Sequence, residues 1–369
     1  MPINEPKLDS KLRVHAMQGF EILLMILVFA ACQPSKKAQD TPVNSEPAVI
    51  TTEPTPEPSP LPNADQKPRL QTCLAKVSPP RLLSETGCVD PKNPVQPAVS
   101  VVPYDVIAPL WSDGSAKQRF LAVPDGRKAS FNEAGDLDLP VGSVAIKTFE
   151  LQGRPVETRL YMKESFNRWR GYSYEWREDG RDAELLTTGK EKVIGDQTWI
   201  YPSPQQCEMC HNKATNITLG LSYNQLAKRE QIAVLEKAGI LDIKSTPGVS
   251  ALVDYTDKSE PIDSRARSYL QGNCAYCHQP QGGGVGSFDL RIEKDFVAMG
   301  ICNKAPLVDV FPVTDGKIYK PGVPSESILF LRMKETGDFH MPPQVSMKVD
   351  PEGTQLMEQW ILLRSNCDL

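Results

Sequence analysis

Two pentapeptides, CEMCH at 207–211 and CAYCH at 274–278, constrain this chain more than any other feature. In each, two cysteines stand two residues apart and a histidine follows directly. Three chemistries use cysteines at this spacing: a zinc knuckle, a redox dithiol and covalent attachment of haem. A zinc site takes four ligands, usually from two close pairs. Cys207, Cys210, Cys274 and Cys277 would supply them and leave His211 and His278 surplus. A thioredoxin-like dithiol belongs to a βαβ unit, which neither context offers. Haem attachment uses every residue: the thiols add to the two porphyrin vinyl groups, and the adjacent imidazole becomes the proximal iron ligand. The chain has only four histidines, and two of them follow CxxC. The motifs predict two covalently attached haem c groups. Cys207, Cys210 and His211 hold the first, and Cys274, Cys277 and His278 hold the second.

The N-terminus predicts export. Lys11 and Arg13 precede the apolar run Ile22–Ala31, which is too short to span a bilayer and suits a signal h-region. The run ends FAAC, which looks like a bacterial lipobox with Cys32 as the lipidated residue, so 1–31 is read as a lipoprotein-type signal peptide. Gln33 in place of Asp favours the outer membrane, with the body lipid-anchored on its periplasmic side and touching the membrane through the anchor only. Residues 32–68 follow as a Pro-rich tether with nine prolines after Cys32 and no aromatic residue, too polar to bury a core. Export places the remaining cysteines where disulfides persist. Cys73, Cys88, Cys302 and Cys367 are left, and three connectivities are open. Pairing Cys73 with Cys88 closes a short loop, and pairing Cys302 with Cys367 pins the C-terminus to the second haem region. No block of Lys or Arg stands out and the net charge is −5, which argues against a nucleic-acid partner.

The body reads as an α+β multidomain chain: an N-terminal β-sandwich-like domain followed by a mainly α cytochrome c-type domain. Within 69–202, runs such as KQRFLAV, GSVAIKTFEL, VETRLYM and GYSYEWRED are rich in β-branched and aromatic residues and bounded by turn chemistry. TRLYM and YSYEW alternate as half-buried strands do, so about seven to nine strands are expected. Trp111, Trp169, Trp176 and Trp199 are expected in the core. Residues 203–262 carry the first haem motif, a helix over 222–240 and a polar connector. Residues 263–369 form a unit with the second haem. There a helix runs into the motif, and a closing helix has Asp350 as N-cap and Pro351 at its first position.

Distal ligands are sought next. Met341 stands before two prolines and ahead of the closing helix, where c-type cytochromes commonly take a methionine ligand; the prolines stiffen the loop that presents the sulfur. His340 is its rival. For the first haem the candidates are Met162, a residue from elsewhere in the chain, or no ligand. The glycine-rich stretch 282–291 lacks the GK[ST] of a phosphate loop and reads as a loop bending round the second haem, with Arg291 as a possible propionate partner.

With PLWSDGSAKQRF, VETRLYM, GYSYEW, YPSPQQCEMCHN, LGLSYNQLAKRE, RARSYLQGNCAYCHQP and MPPQ in view, the chain resembles a family of exported, lipoprotein-like bacterial dihaem c-type cytochromes over roughly 83–367. The family usually has Arg before Met-Pro-Pro, where this chain has His340. The resemblance implies a parallel β-helix lipoprotein among the redox protein partners. The expected function is electron transfer between periplasmic or membrane redox partners, more that of a carrier than of a catalyst. The rival is a dihaem peroxidase or oxidase type of enzyme with an open site at the first haem.

Overall fold

The computed structural model describes residues 72–74, 78–166, 168–215, 217–228, 230–244, 246–308, 311–343 and 346–368. These lie in one compact unit, which spans Glu53–Leu369. The signal peptide, Cys32 and the tether lie outside the described residues. No helix among the described residues is long and apolar enough to cross a membrane.

Strands come first along the chain: β1 (Val89–Asp90), β2 (Asn93–Pro97), β3 (Val102–Pro103), β4 (Ala116–Ala122), β5 (Ser130–Phe131), β6 (Leu137–Asp138), β7 (Val144–Leu151) and β8 (Arg154–Ser165). They continue with β9 (Arg168–Trp176), β10 (Ala183–Leu186), β11 (Lys190–Ile194) and β12 (Gln197–Tyr201). Helices follow: α1 (Pro204–Cys210), α2 (Tyr223–Leu226), α3 (Gln231–Lys237), α4 (Ile262–Asn273), α5 (Ile328–Lys334) and α6 (Pro351–Leu362). One antiparallel sheet dominates, in the order β10-β9-β8-β7-β4-β3, and three two-stranded ribbons accompany it.

This corrects the expected fold class. The β region is a single six-stranded sheet with ribbons, not a sandwich, and no separate mainly α cytochrome domain follows it. The C-terminal helices α4, α5 and α6 hold 12, 7 and 12 residues and leave most of 263–369 in turns and loops. Over the described residues the chain has more strand than helix. The physical reason lies in what alternation reports. A period of two says that one face of a strand is buried, and leaves open what buries it. Here the covers are loops and short helices.

Cross-strand register sorts the side chains. Phe120, Ile146, Leu160 and Tyr172 stand opposite one another on β4, β7, β8 and β9. Their face packs on Cys73, Leu74, Leu83, Cys88, Val89 and Val101 from the N-terminal segment. Arg119, Lys147, Arg159 and Ser173 form the next row and point to the other face. Leu121, Ala145, Tyr161 and Gly171 form a further row on that second face. The expected tryptophans divide: Trp176 and Trp199 are buried, whereas Trp111 and Trp169 are half-buried.

The segment between β3 and β4 ties the sheet to the C-terminal region. Ile107 and Ala108 belong to the apolar cluster built from Tyr269, Leu270, Phe296, Tyr319, Met357 and Trp360. Gln225 accepts from the Ala108 amide at 2.9 Å and donates to the Ala108 carbonyl at 2.8 Å. The Trp111 amide donates to Asn273 Oδ1 at 2.7 Å, and Asp113 accepts from the amides of Met347 and Lys348. Asp350 Oδ1 accepts from the Gly353 amide at 3.0 Å and caps α6. Gly353 also lets α6 lie against α4, since a Cβ there would stand 2.3 Å from the Tyr269 ring. The helix expected over 222–240 is two short ones, α2 and α3, separated at 227–230. Cys73 is bonded to Cys88, and Cys302 to Cys367.

Candidate haem-attachment site

The first motif rides on a short capped helix. Ser203 accepts from the Gln206 amide at 3.2 Å while the Gln206 side chain accepts from the Ser203 amide at 2.8 Å, a capping box that fixes where α1 begins. Helical spacing then sets Cys207 and Cys210 three residues apart on one side, and the His211 amide donates to the Cys207 carbonyl at 2.9 Å. The His211 ring is held by Nδ1, 2.6 Å from the Ile217 carbonyl. That contact fixes the Nδ1–H tautomer and leaves Nε2 with the lone pair an iron ligand needs.

The second face of the sheet receives this motif. The Tyr161 ring lies 4.2 Å from the His211 ring between centroids. A Cβ on Gly171 would stand 3.3 Å from Cys207 Sγ, so bare backbone of β9 meets the first motif cysteine. Burial lowers the His211 pKa to about 4, with Lys147 and Arg159 adding repulsion against the Ile217 contact, so the ring is neutral at pH 7.

The second motif continues from α4. Cys274 ends the helix, and the amides of Cys277 and His278 both donate to the Cys274 carbonyl, at 3.1 and 2.9 Å. The glycine-rich loop then folds back on the motif. The Gly284 amide donates to the Cys277 carbonyl at 2.9 Å, and a Cβ on Gly284 would be 2.8 Å from His278 Nδ1. Phe288 stacks on the His278 ring at 4.6 Å. Burial and the charge of Arg332 lower the His278 pKa to about 4.

The two motifs meet. The thiols of Cys210 and Cys277 come within reach of each other, and their interaction lowers the pKa of Cys277 and raises that of Cys210. Tyr276, between the second pair of cysteines, is raised to about 12 by burial, against its hydrogen bond with Gln225 and the field of Arg119. All four motif cysteines are free thiols, beside four that are joined in disulfides. Among the described residues, no three or more His, Cys, Asp and Glu side chains gather as a metal-ion cage, so the four-cysteine zinc arrangement does not form. The sheet is antiparallel and offers no thioredoxin-like βαβ unit. Paired free thiols, an imidazole oriented through Nδ1 and a glycine facing the first cysteine fit covalent haem.

The other expected residues are placed as follows. Met341 lines a small cavity with Trp111, Tyr269, Met333, His340 and Met347, and its amide donates to the Arg332 carbonyl at 3.0 Å. His340 is anchored by Nδ1, 2.6 Å from the Gly337 carbonyl, and its Nε2 has no partner. Met333 and Met347 were not singled out by the sequence reading, because neither carries the Met-Pro signature. Met162 packs with the apolar cluster on the far face of the sheet, away from Tyr161 and the first motif. Arg291 is committed to Asp289 in a two-pronged pair at 2.9 and 2.6 Å.

No family model, curated protein or solved structure matches the chain.

Proposed function

We propose that the chain is a dihaem c-type cytochrome that carries electrons between redox partners outside the cytoplasm, akin to the exported dihaem family its motifs resemble. The observation that supports this reading best is the meeting of the two CxxCH motifs at Cys210 and Cys277. Each haem, when bound, supplies a one-electron iron couple, and the contact of the motifs makes the two couples neighbours. Cys207 and Cys210 hold one group and Cys274 and Cys277 the other. His211 and His278 offer neutral imidazoles to the irons. The Ile217 carbonyl orients one ring and Phe288 supports the other. Met341 is the proposed distal ligand of the second haem. In this reading Cys32 anchors the protein to the outer membrane, and the redox partners include a β-helix lipoprotein.

Met162 lies on the far face, which leaves for the first haem either a ligand from elsewhere in the chain or none, the latter being the rival reading of an open iron of the peroxidase or oxidase type. One experiment tests both. The ferrous protein, matured with haem, is recorded in the visible before and after carbon monoxide. An unchanged spectrum is the carrier's. A shift of about half the haem signal that persists in Met341→Ala marks an open first site, and peroxide turnover then decides for the enzyme. Protein with no covalent haem defeats both readings.

A further inference from the structure

The second face of the sheet carries a row of charge that the electron-carrier reading does not use. Arg119 on β4 stands directly opposite Lys147 on β7, and Lys147 directly opposite Arg159 on β8. Like charges opposite one another in a sheet are destabilising. Lys117 lies two residues from Arg119 on the same face. This face is covered: the Arg119 side chain is only 8% exposed. Four cations therefore meet in a partly dehydrated place, where their repulsion is stronger than in water.

The carboxylates nearby are engaged already. Glu157 takes two hydrogen bonds from Arg159, at 2.8 Å each, one from Ser173 at 2.5 Å and one from Trp199 at 3.1 Å. Asp105 accepts from Arg119 at 3.2 Å and from Lys228 at 2.6 Å. Lys147 has no hydrogen bond or ion pair with any described residue. Burial, with the repulsion of Arg119 and Arg159, lowers its pKa to about 7 against the opposing pull of Glu157.

The row lies beside both motifs. Tyr161 and Gly171, which meet His211 and Cys207, are two residues further along the same strands and on the same face. That spacing is about 7 Å. Arg119 acts on Tyr276 of the second motif, and Lys147 and Arg159 act on His211 of the first. A haem attached at either motif brings two propionate carboxylates, whereas the carboxylates already present, Asp105 and Glu157, are bonded to Arg119 and Arg159 and leave Lys147 without one. We propose that the row Arg119–Lys147–Arg159 receives propionate carboxylates of the attached haems, with Lys147 as the residue of the row that the polypeptide leaves without a bonded carboxylate. The inference rests on the dihaem reading above and adds the residues that hold the porphyrin edge. Arg291, taken by Asp289, is not one of them.

The test uses the full chain matured with haem, as wild type, Lys147→Gln, Lys147→Arg and Arg291→Gln. The mass of the denatured protein counts attached haems. Resonance Raman spectra then give the propionate-bending bands, and spectroelectrochemical titration gives the two midpoint potentials. Lys147→Gln is expected to move a bending band to lower frequency and to lower the potential of the haem at Cys207 and Cys210, because a nearby positive charge favours the reduced iron. Lys147→Arg restores both values towards wild type, and Arg291→Gln leaves the bands unchanged. Lys147 has no hydrogen bond or ion pair to lose, only a long contact of Nζ with the Phe149 ring at 5.8 Å, so the glutamine variant is expected to fold; the arginine variant keeps the test open if it does not. Two attached haems with wild-type bands and potentials in Lys147→Gln overturn this inference alone. A band shift in Arg291→Gln and none in Lys147→Gln also overturns it. A chain with no attached haem overturns the dihaem reading, and this inference with it.

Discussion

The two faces of the central sheet are built from the same strands and differ in almost everything else. One face presents Phe120, Ile146, Leu160 and Tyr174 to an apolar cover that includes the Cys73–Cys88 disulfide. Its polar groups satisfy each other: Thr148 and Thr158 share a hydrogen bond of 2.9 Å, and Trp176 Nε1 donates to Thr158 at 3.0 Å. The other face presents Lys117, Arg119, Lys147 and Arg159, with Glu157 among them, beneath the CxxCH motifs. An apolar face gains stability from being covered. A row of cations loses it wherever no carboxylate intervenes, as at Lys147, and on the proposed reading a haem propionate would supply the missing charge. The comparison separates the part of the sheet that holds the fold from the part that serves the site.

Three measurements can break or sharpen that contrast. Leu160 is fully buried on the apolar face, and Leu160→Ala is expected to cost about 2–5 kcal/mol in urea unfolding. The visible spectrum of the folded fraction should stay that of wild type. A changed haem spectrum would show that the two faces are not separable. On the charged face, Glu157→Gln leaves Arg159 without its carboxylate. Arg159 is 30% exposed and solvent screens part of the loss, so a cost of about 1–3 kcal/mol is expected in the same unfolding assay. A cost above that of Leu160→Ala would mean that this face, too, holds the fold.

The smallest effect is at the rim. Glu175 is raised by burial and lowered more strongly by hydrogen bonds from Lys190 and Lys192, so its net pKa is below the ordinary carboxylate value. A depressed carboxylate adds stability that is present above its unfolded pKa of about 4.3 and is lost as pH falls through the folded value. Glu175→Gln should therefore cost up to about 1 kcal/mol at pH 7, with the difference from wild type closing below about pH 4. Salt should shrink it. A difference independent of pH would assign the effect to packing.

The candidate site was legible in sequence because the chemistry proposed for it, covalent haem attachment, would need fixed residues at fixed spacing. Cys207, Cys210, His211, Cys274, Cys277 and His278 follow from five-residue patterns. Strands such as VETRLYM were legible from their alternation. The cover of the sheet was not, and this is why a sandwich was expected. The cation row was hidden for the same reason. In AKQRF, VAIKTF and ETRLY each Lys or Arg alternates with an apolar residue, the usual pattern of a strand with one wet face. That face is covered in part by the first motif, with Cys207 against Gly171 and His211 against Tyr161. Met162 misled because its neighbour Tyr161 is the residue that meets the motif, and alternation sends adjacent side chains to opposite faces.

The contact of Cys210 with Cys277 carries a consequence for biogenesis. Two unmodified thiols held together in a finished fold are a ready substrate for any oxidant, and the product would staple one motif to the other. On the dihaem reading, in a chain that already forms two disulfides, the window for loading would be the interval before the motifs come together. The dihaem reading therefore predicts an order of assembly: cofactor first, closure second.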